Sequence, residues 1–180
     1  MFIKIAKLEA VLKKAYKGAG IHFERHGSRI IMATGNLYIE ADVERVTFDF
    51  KAAVVKYLGE FPREDMAATV SEDEFQQNIG GSYDRELIER DTSYNLKYIE
   101  TPFTYQGDIV YQGGGTLITI PVKEYCVFDI GCVDEQEEIP GAEWECVDDI
   151  IINRNDTMVM GLRFQQADEI LERIQTMPLT

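Results

Sequence analysis

The sequence predicts an α+β fold, an antiparallel β-meander with flanking N- and C-terminal helices. Three observations carry this prediction. Residues 3–17 repeat apolar side chains at three- and four-residue steps. Residues 37–44 alternate apolar and polar side chains. Residues 94–128 break into short aromatic and β-branched runs separated by Gly and Pro. Strands grouped in runs, with helices at the ends, give an antiparallel sheet with segregated helices rather than alternating β-α units.

In the first helix Ile5, Leu8, Leu12 and Tyr16 fall on one face with lysines opposite, and Gly18 and Gly20 stop it. Two strands follow, over 21–25 and 30–34, joined by a turn on His26-Gly27-Ser28; Gly35-Asn36 makes the next turn. Leu37, Ile39, Ala41 and Val43 then alternate with Tyr38, Glu40, Asp42 and Glu44, so one strand face is apolar and the other lines up three carboxylates. Asp49 is placed to cap a helix over 50–58, with Phe50, Val54, Tyr57 and Leu58 inward and Gly59 and Pro62 ending it. Ser71-Glu72-Asp73-Glu74 has the capping-box spacing and predicts a short helix over 72–79, stopped by Gly80-Gly81. Residues 82–92 fit a helical turn or a loop equally.

The C-terminal half reads as β. Strands are expected over 94–100, 103–106, 109–112, 116–120 and 125–128, broken by Pro102, Gly107-Asp108, the triplet at 113–115 and Pro121. Tyr-Gln-Gly occurs at 105–107 and 111–113, a spacing that fits one hairpin rather than a repeat architecture. Residues 129–149 read as an acidic loop with short pieces of structure. A strand pair over 149–153 and 157–162 turns on Asn155-Asp156, and a last helix spans 164–176 with Phe164, Ala167, Leu171 and Ile174 inward.

A chain of 180 residues suits one domain or two small subdomains. The candidate division is an N-terminal unit over 1–62, a connecting segment over 63–93, and a β-rich unit over 94–180. No run approaches the ~18 apolar residues of a membrane span. The opening residues lack an uninterrupted apolar stretch, and the three cysteines are odd in number, so reduced thiols and a cytoplasmic location are expected.

Charge is the strongest compositional signal. The chain carries 32 acidic and 18 basic side chains, a net −14. That sign opposes free DNA or RNA binding, which is driven by basic side chains neutralising phosphates. The charge is also uneven. Residues 1–29 hold seven basic side chains and two acids, a balance of +5, and the remainder balances at −19. No basic residue lies between Lys123 and Arg154. Such asymmetry points to charged partners, unless the basic head neutralises part of the acidic body within the fold.

No compact catalytic motif stands out. Gly113-Gly114-Gly115 precedes a strand, whereas phosphate loops feed a helix N-terminus. His22 and His26 would share a helix face, but they flank a predicted strand and turn, where that spacing is not expected to converge on a metal. Cys126, Cys132 and Cys146 lack the close pairs of zinc sites, and 134–138 lacks the spaced ligands and Gly of a calcium loop. The expectation is a non-enzymatic protein with no cofactor and no metal.

The candidate partner-binding residues are therefore acidic. Glu40, Asp42 and Glu44 would project from one strand face at ~6.6–6.8 Å intervals. Asp134, Glu135, Glu137, Glu138, Glu143, Glu145, Asp148 and Asp149 fill the lysine-free window, with Trp144, the single tryptophan, among them. Carboxylates so spaced could occupy a basic groove that normally holds nucleic acid, and an aromatic anchor inside an acidic rim suits a protein interface.

In size and charge the chain resembles small proteins of phages and mobile elements in Firmicutes. The opening Lys-Leu-Glu-Ala-Val-Leu-Lys-Lys-Ala helix at 7–15, the short hairpins after it and the segment 51–58 carry that likeness. Among such proteins it looks most like the anti-CRISPR inhibitors of Cas9. The resemblance rests on general character and transfers no functional residue. It implies a stoichiometric inhibitor that binds a basic effector such as Cas9, with the basic helix touching guide RNA or the inhibitor's own body, and blocks target DNA binding or cleavage. A phage replication or assembly module that binds another protein, and a metal-dependent hydrolase, are the alternatives. A homodimer is the default assembly.

Overall fold

The computed structural model describes residues 3–77, 99–113, 116–128, 144–147, 150–155 and 158–166. Helix α1 spans Ile5–Tyr16, α2 Phe48–Leu58 and α3 Val122–Tyr125. The strands of the N-terminal half are β1 Ile21–His26, β2 Arg29–Ala33, β3 Leu37–Asp42, β4 Ala67–Val70 and β5 Phe75–Gln77. Those that follow are β6 Ile99–Tyr105, β7 Asp108–Gly113, β8 Thr116–Ile120, β9 Trp144–Val147, β10 Ile150–Asn155, β11 Met158–Arg163 and β12 Gln165–Gln166. The fold is α+β, and every pairing between these strands is antiparallel.

Among the described residues the strands form two sheets. One has the order β5-β4-β1-β2-β3-β11-β10-β9 and the other β12-β8-β7-β6. Strand β11 pairs with β3, Met160 opposite Ile39, so the C-terminal hairpin extends the N-terminal sheet. The candidate division at 63–93 thus separates segments of sequence that share one sheet. Phe164, buried, sits where the chain leaves β11 and enters β12.

Each helix forms for a readable reason. Lys13 and Lys14 lie in the last turn of α1, where cations favour the dipole, and the helix buries Leu8, Val11 and Leu12. Helix α2 begins at Phe48 because Thr47, not Asp49, caps it: the Thr47 hydroxyl accepts from the Phe50 N–H at 3.3 Å. Gly59, at φ +89°, closes it. The two helices bury these faces with Phe23, Ile39 and Leu162 of the large sheet and Ile118 and Ile120 of β8 in one core.

The large sheet is apolar on its other face as well. Ile31, Ala33, Tyr38, Ile150, Ile152 and Val159 form a second buried cluster there. A strand buried on both faces does not show the apolar-in, polar-out alternation of a half-exposed one.

Several local expectations are corrected. Over its described part, 72–77, the predicted helix of 72–79 is replaced by a turn and strand β5; 78–79 lie outside the described residues. The Ser71 hydroxyl does accept from the Glu74 N–H at 3.1 Å, as in a capping box, but the Ser71 N–H also donates to the Glu74 carbonyl at 2.8 Å and closes a β4–β5 hairpin. Strand β6 runs through Pro102 with a register shift between Glu100 and Thr104, since a bulge absorbs the missing N–H. The expected strand over 125–128 is instead the end of α3 and a single bridge between Phe128 and Ile3. At the start of the predicted last helix, Gln165–Gln166 is strand; 167–176 lies outside the described residues, as does 82–92.

Candidate functional site

The carboxylates predicted on β3 do not form a free array. The strand ends at Asp42. The Asp42 carboxylate accepts from the Glu44 N–H at 2.8 Å, and its carbonyl accepts from Arg45 and Val46, each at 3.0 Å. The chain turns there, which removes Glu44 from the strand register. Glu40 is partly buried and accepts from the Arg29 guanidinium and the Tyr38 hydroxyl, each at 3.0 Å. Its face is the second apolar face of the sheet, shared with Tyr38 and Val159. Trp144 and Glu145 lie on β9, described here by backbone alone. Asp134, Glu135, Glu137, Glu138, Glu143, Asp148 and Asp149 lie outside the described residues.

Four lysines of the basic head are unpaired among the described residues. Lys7, Lys13, Lys14 and Lys17 are exposed and enter no ion pair among the described residues. Glu9, the acid of α1, pairs instead with Lys56 of α2 at 3.1 Å. That contact, with the hydrogen bond to Glu9, raises the Lys56 ammonium above its ordinary value, while burial raises the neighbouring Tyr57 phenol. Of the head's basic side chains, Arg29 pairs with Glu40, whereas these four lysines form no ion pair among the described residues.

A second cluster was hidden in the sequence. Residues two apart on a strand share a face, so His22, Glu24 and His26 of β1 project together. Glu24 is 1% exposed and His22 6%. One Glu24 oxygen accepts from Nε2 of His22 at 3.2 Å and the other from Nε2 of His26. Thr69 of β4 lies 3.1 Å from Nδ1 of His22, and Asp65 lies 3.9 Å from Nδ1 of His26. The two histidines share one strand face and meet through Glu24 as structural side chains. The signal was present as His-Phe-Glu-Arg-His at period two. The ring nitrogens engage Glu24 directly, and among the described residues no group of three or more His, Cys, Asp and Glu side chains is arranged to hold a metal ion.

The open geometry lies beside α1. The chain before it is tied to the end of α3, with the Lys4 N–H donating to the Val127 carbonyl at 2.7 Å beside the Ile3–Phe128 bridge. This places α1 and α3 side by side. Between them runs a cleft of about 420 Å³ lined by Lys7, Ala10, Val11, Lys14, Lys123 and Glu124. Lys7, Ala10, Val11 and Lys14 follow the i, i+3, i+4, i+7 stripe of one helix face. A second cleft, of about 520 Å³, adjoins it through Lys14, Lys123 and Glu124 and reaches Asp108 and Arg163. Asp108 shapes this end by accepting from the Val122 N–H at 3.3 Å, which caps α3.

Glu124 is the unusual member. It is 5% exposed, and its carboxylate makes no hydrogen bond or ion pair among the described residues. Among the described side chains only the amide nitrogen of Asn153 is both sealed from solvent and unpartnered. The Glu124 carboxylate, equally unpartnered, therefore opens on the clefts. No sequence motif marks it, because α3 has a single turn and the lysines come from a helix more than 100 residues earlier.

No family model, curated protein or solved structure matches this chain.

Proposed function

We propose that the protein is a non-enzymatic binding protein that engages a nucleic-acid-handling effector through charge, inhibiting a Cas9-type nuclease by blocking target DNA binding or cleavage. The observation that carries this reading is the row Lys7, Lys13, Lys14 and Lys17, exposed and in no ion pair among the described residues, on a chain of net charge −14. Four lysines that served only to balance the body would be expected to pair with some of its many acids. An effector loaded with guide RNA presents both signs, a basic channel and an anionic backbone. A two-signed inhibitor matches both, and complementary fields raise the association rate. The acidic side of the interface falls to the 134–149 window and the sequence around Trp144.

The experiment is interferometry against immobilised Cas9, with and without guide RNA, at about 50 and about 500 mM salt, conditions that shorten the screening length severalfold. Binding that weakens steeply with salt is expected. Reversing Lys7, Lys13, Lys14 and Lys17 to Glu should slow association with the guide-loaded enzyme about tenfold or more. Changing Asp134, Glu135, Glu137 and Glu138 to Asn or Gln should weaken binding to both forms. Absence of binding at low salt, or binding indifferent to salt and to both sets of substitutions, would overturn the reading.

A further inference from the structure

We propose that the cleft between α1 and α3 is a binding site for a guanine nucleotide, with Glu124 reading the base and Lys7, Lys14 and Lys123 holding the phosphate. The inference shares Lys7 and Lys14 with the effector reading above but rests on Glu124, and its test uses small ligands with no effector present. It starts from Glu124. A carboxylate with almost no exposure is costly unless its lone pairs are met by donors, and no donor among the described residues meets them. A donor presented from the cleft would meet them. Two carboxylate oxygens suit two adjacent N–H groups. Among the common bases only guanine presents such a pair on its pairing edge, the ring N–H and the exocyclic amine.

The rest of the cleft fits the rest of a nucleotide. Ala10, Val11 and Val122 give an apolar wall for the face of a base. Lys7 and Lys14 stand two helical turns apart, about 10.5 Å along the axis, and Lys123 faces them from α3. All three are without an ion pair among the described residues. Ammonium groups serve phosphate as point charges. The volume of about 420 Å³ is in the range of small-ligand sites.

Screening confines the three lysines' attraction to about 8–10 Å, so a single phosphate inside the cleft feels them.

Calorimetric titration of the full chain with GMP tests this, with AMP, IMP, guanosine and inorganic phosphate as comparators. Saturable GMP binding is expected. AMP, and IMP, which lacks the exocyclic amine, should bind about ten- to hundredfold more weakly, the size of a lost hydrogen bond to a charged group. Glu124→Gln should lower GMP affinity by a similar factor and leave phosphate affinity unchanged. Changing Lys7, Lys14 and Lys123 together to Ala, all at exposed positions, should bring GMP down to the affinity of guanosine. The comparison of GMP with IMP needs no variant and stands even if Glu124→Gln fails to fold. No saturable GMP binding, equal affinity for GMP and AMP, or binding of single-stranded RNA without binding of GMP would overturn the proposal.

Discussion

Nε2 of His22 lies 3.2 Å from the Glu24 carboxylate two residues along the same strand, and both side chains are withdrawn from solvent. A strand usually places a buried charge opposite a partner on a neighbouring strand. Here the partners come from β1 itself, and Thr69 of β4 extends the contact to the next strand. Removing Glu24 would leave two imidazoles facing an empty site. Glu24→Ala is expected to destabilise the fold by about 2–4 kcal/mol, and Glu24→Gln by about half of that. Urea unfolding with an unchanged m-value checks both; a cost for Glu24→Ala below that of an ordinary surface substitution would show that the cluster is dispensable.

The weld between the two halves of the chain can be tested at Gly161. A Cβ placed there would lie 3.2 Å from Cβ of Tyr38 on β3 and 3.3 Å from Cγ2 of Ile150 on β10. Both neighbours sit on paired strands and cannot retreat freely. Gly161→Ala should cost about 1–3 kcal/mol through overpacking. Gly35→Ala, where nothing lies within 4 Å, is the control and should stay within about 0.5 kcal/mol of the parent. Thermal unfolding of the two variants side by side makes the comparison.

The β6–β7 hairpin turns on Gln106 and Gly107, both at positive φ, +53° and +90°. Two such residues in a two-residue loop match a type I′ turn, for which Asn-Gly is the preferred pair. Gln106→Asn should stabilise by a few tenths of a kcal/mol, roughly the preference for Asn in the left-handed region. Gly107→Ala should cost about 1 kcal/mol from backbone strain alone, since nothing lies within 4 Å of the added atom. Denaturation midpoints that moved in the opposite order would contradict the turn type.

Alkaline pH should weaken the contact between α1 and α2. Burial raises the Tyr57 phenol above 10.0, and the Glu9 hydrogen bond raises the Lys56 ammonium above 10.5. Both groups hold their protons longer folded than unfolded. Their contribution is complete below the unfolded values and is lost as pH rises through the folded ones, so stability should fall above about pH 10. Tyr57→Phe removes the phenol and should flatten that decline. It also loses the hydrogen bond from the hydroxyl to the Glu9 carbonyl, at 3.3 Å, worth about 0.5–1.5 kcal/mol at neutral pH. Melting temperatures from pH 8 to about 11 give both readings.

The sequence by itself determined the α+β class, the first two helices, the early hairpin and the final strand pair. Each is written in neighbouring residues, as the three- and four-residue apolar steps of α1 and the Gly27 turn between β1 and β2 are. It also determined the uneven charge. Tertiary structure alone decided which faces those elements expose. Strand β3 alternates cleanly, yet its polar face is half-buried, because β11 arrives from more than 100 residues away and brings an apolar cluster to that side. The same long-range packing turned a capping-box sequence into a hairpin, brought Lys7 and Lys14 beside Glu124, and joined His22 to His26 through Glu24. Periodicity reports the preference of a segment for one geometry. Burial and partnership depend on which distant segment docks against it, and that is fixed only when the whole core closes.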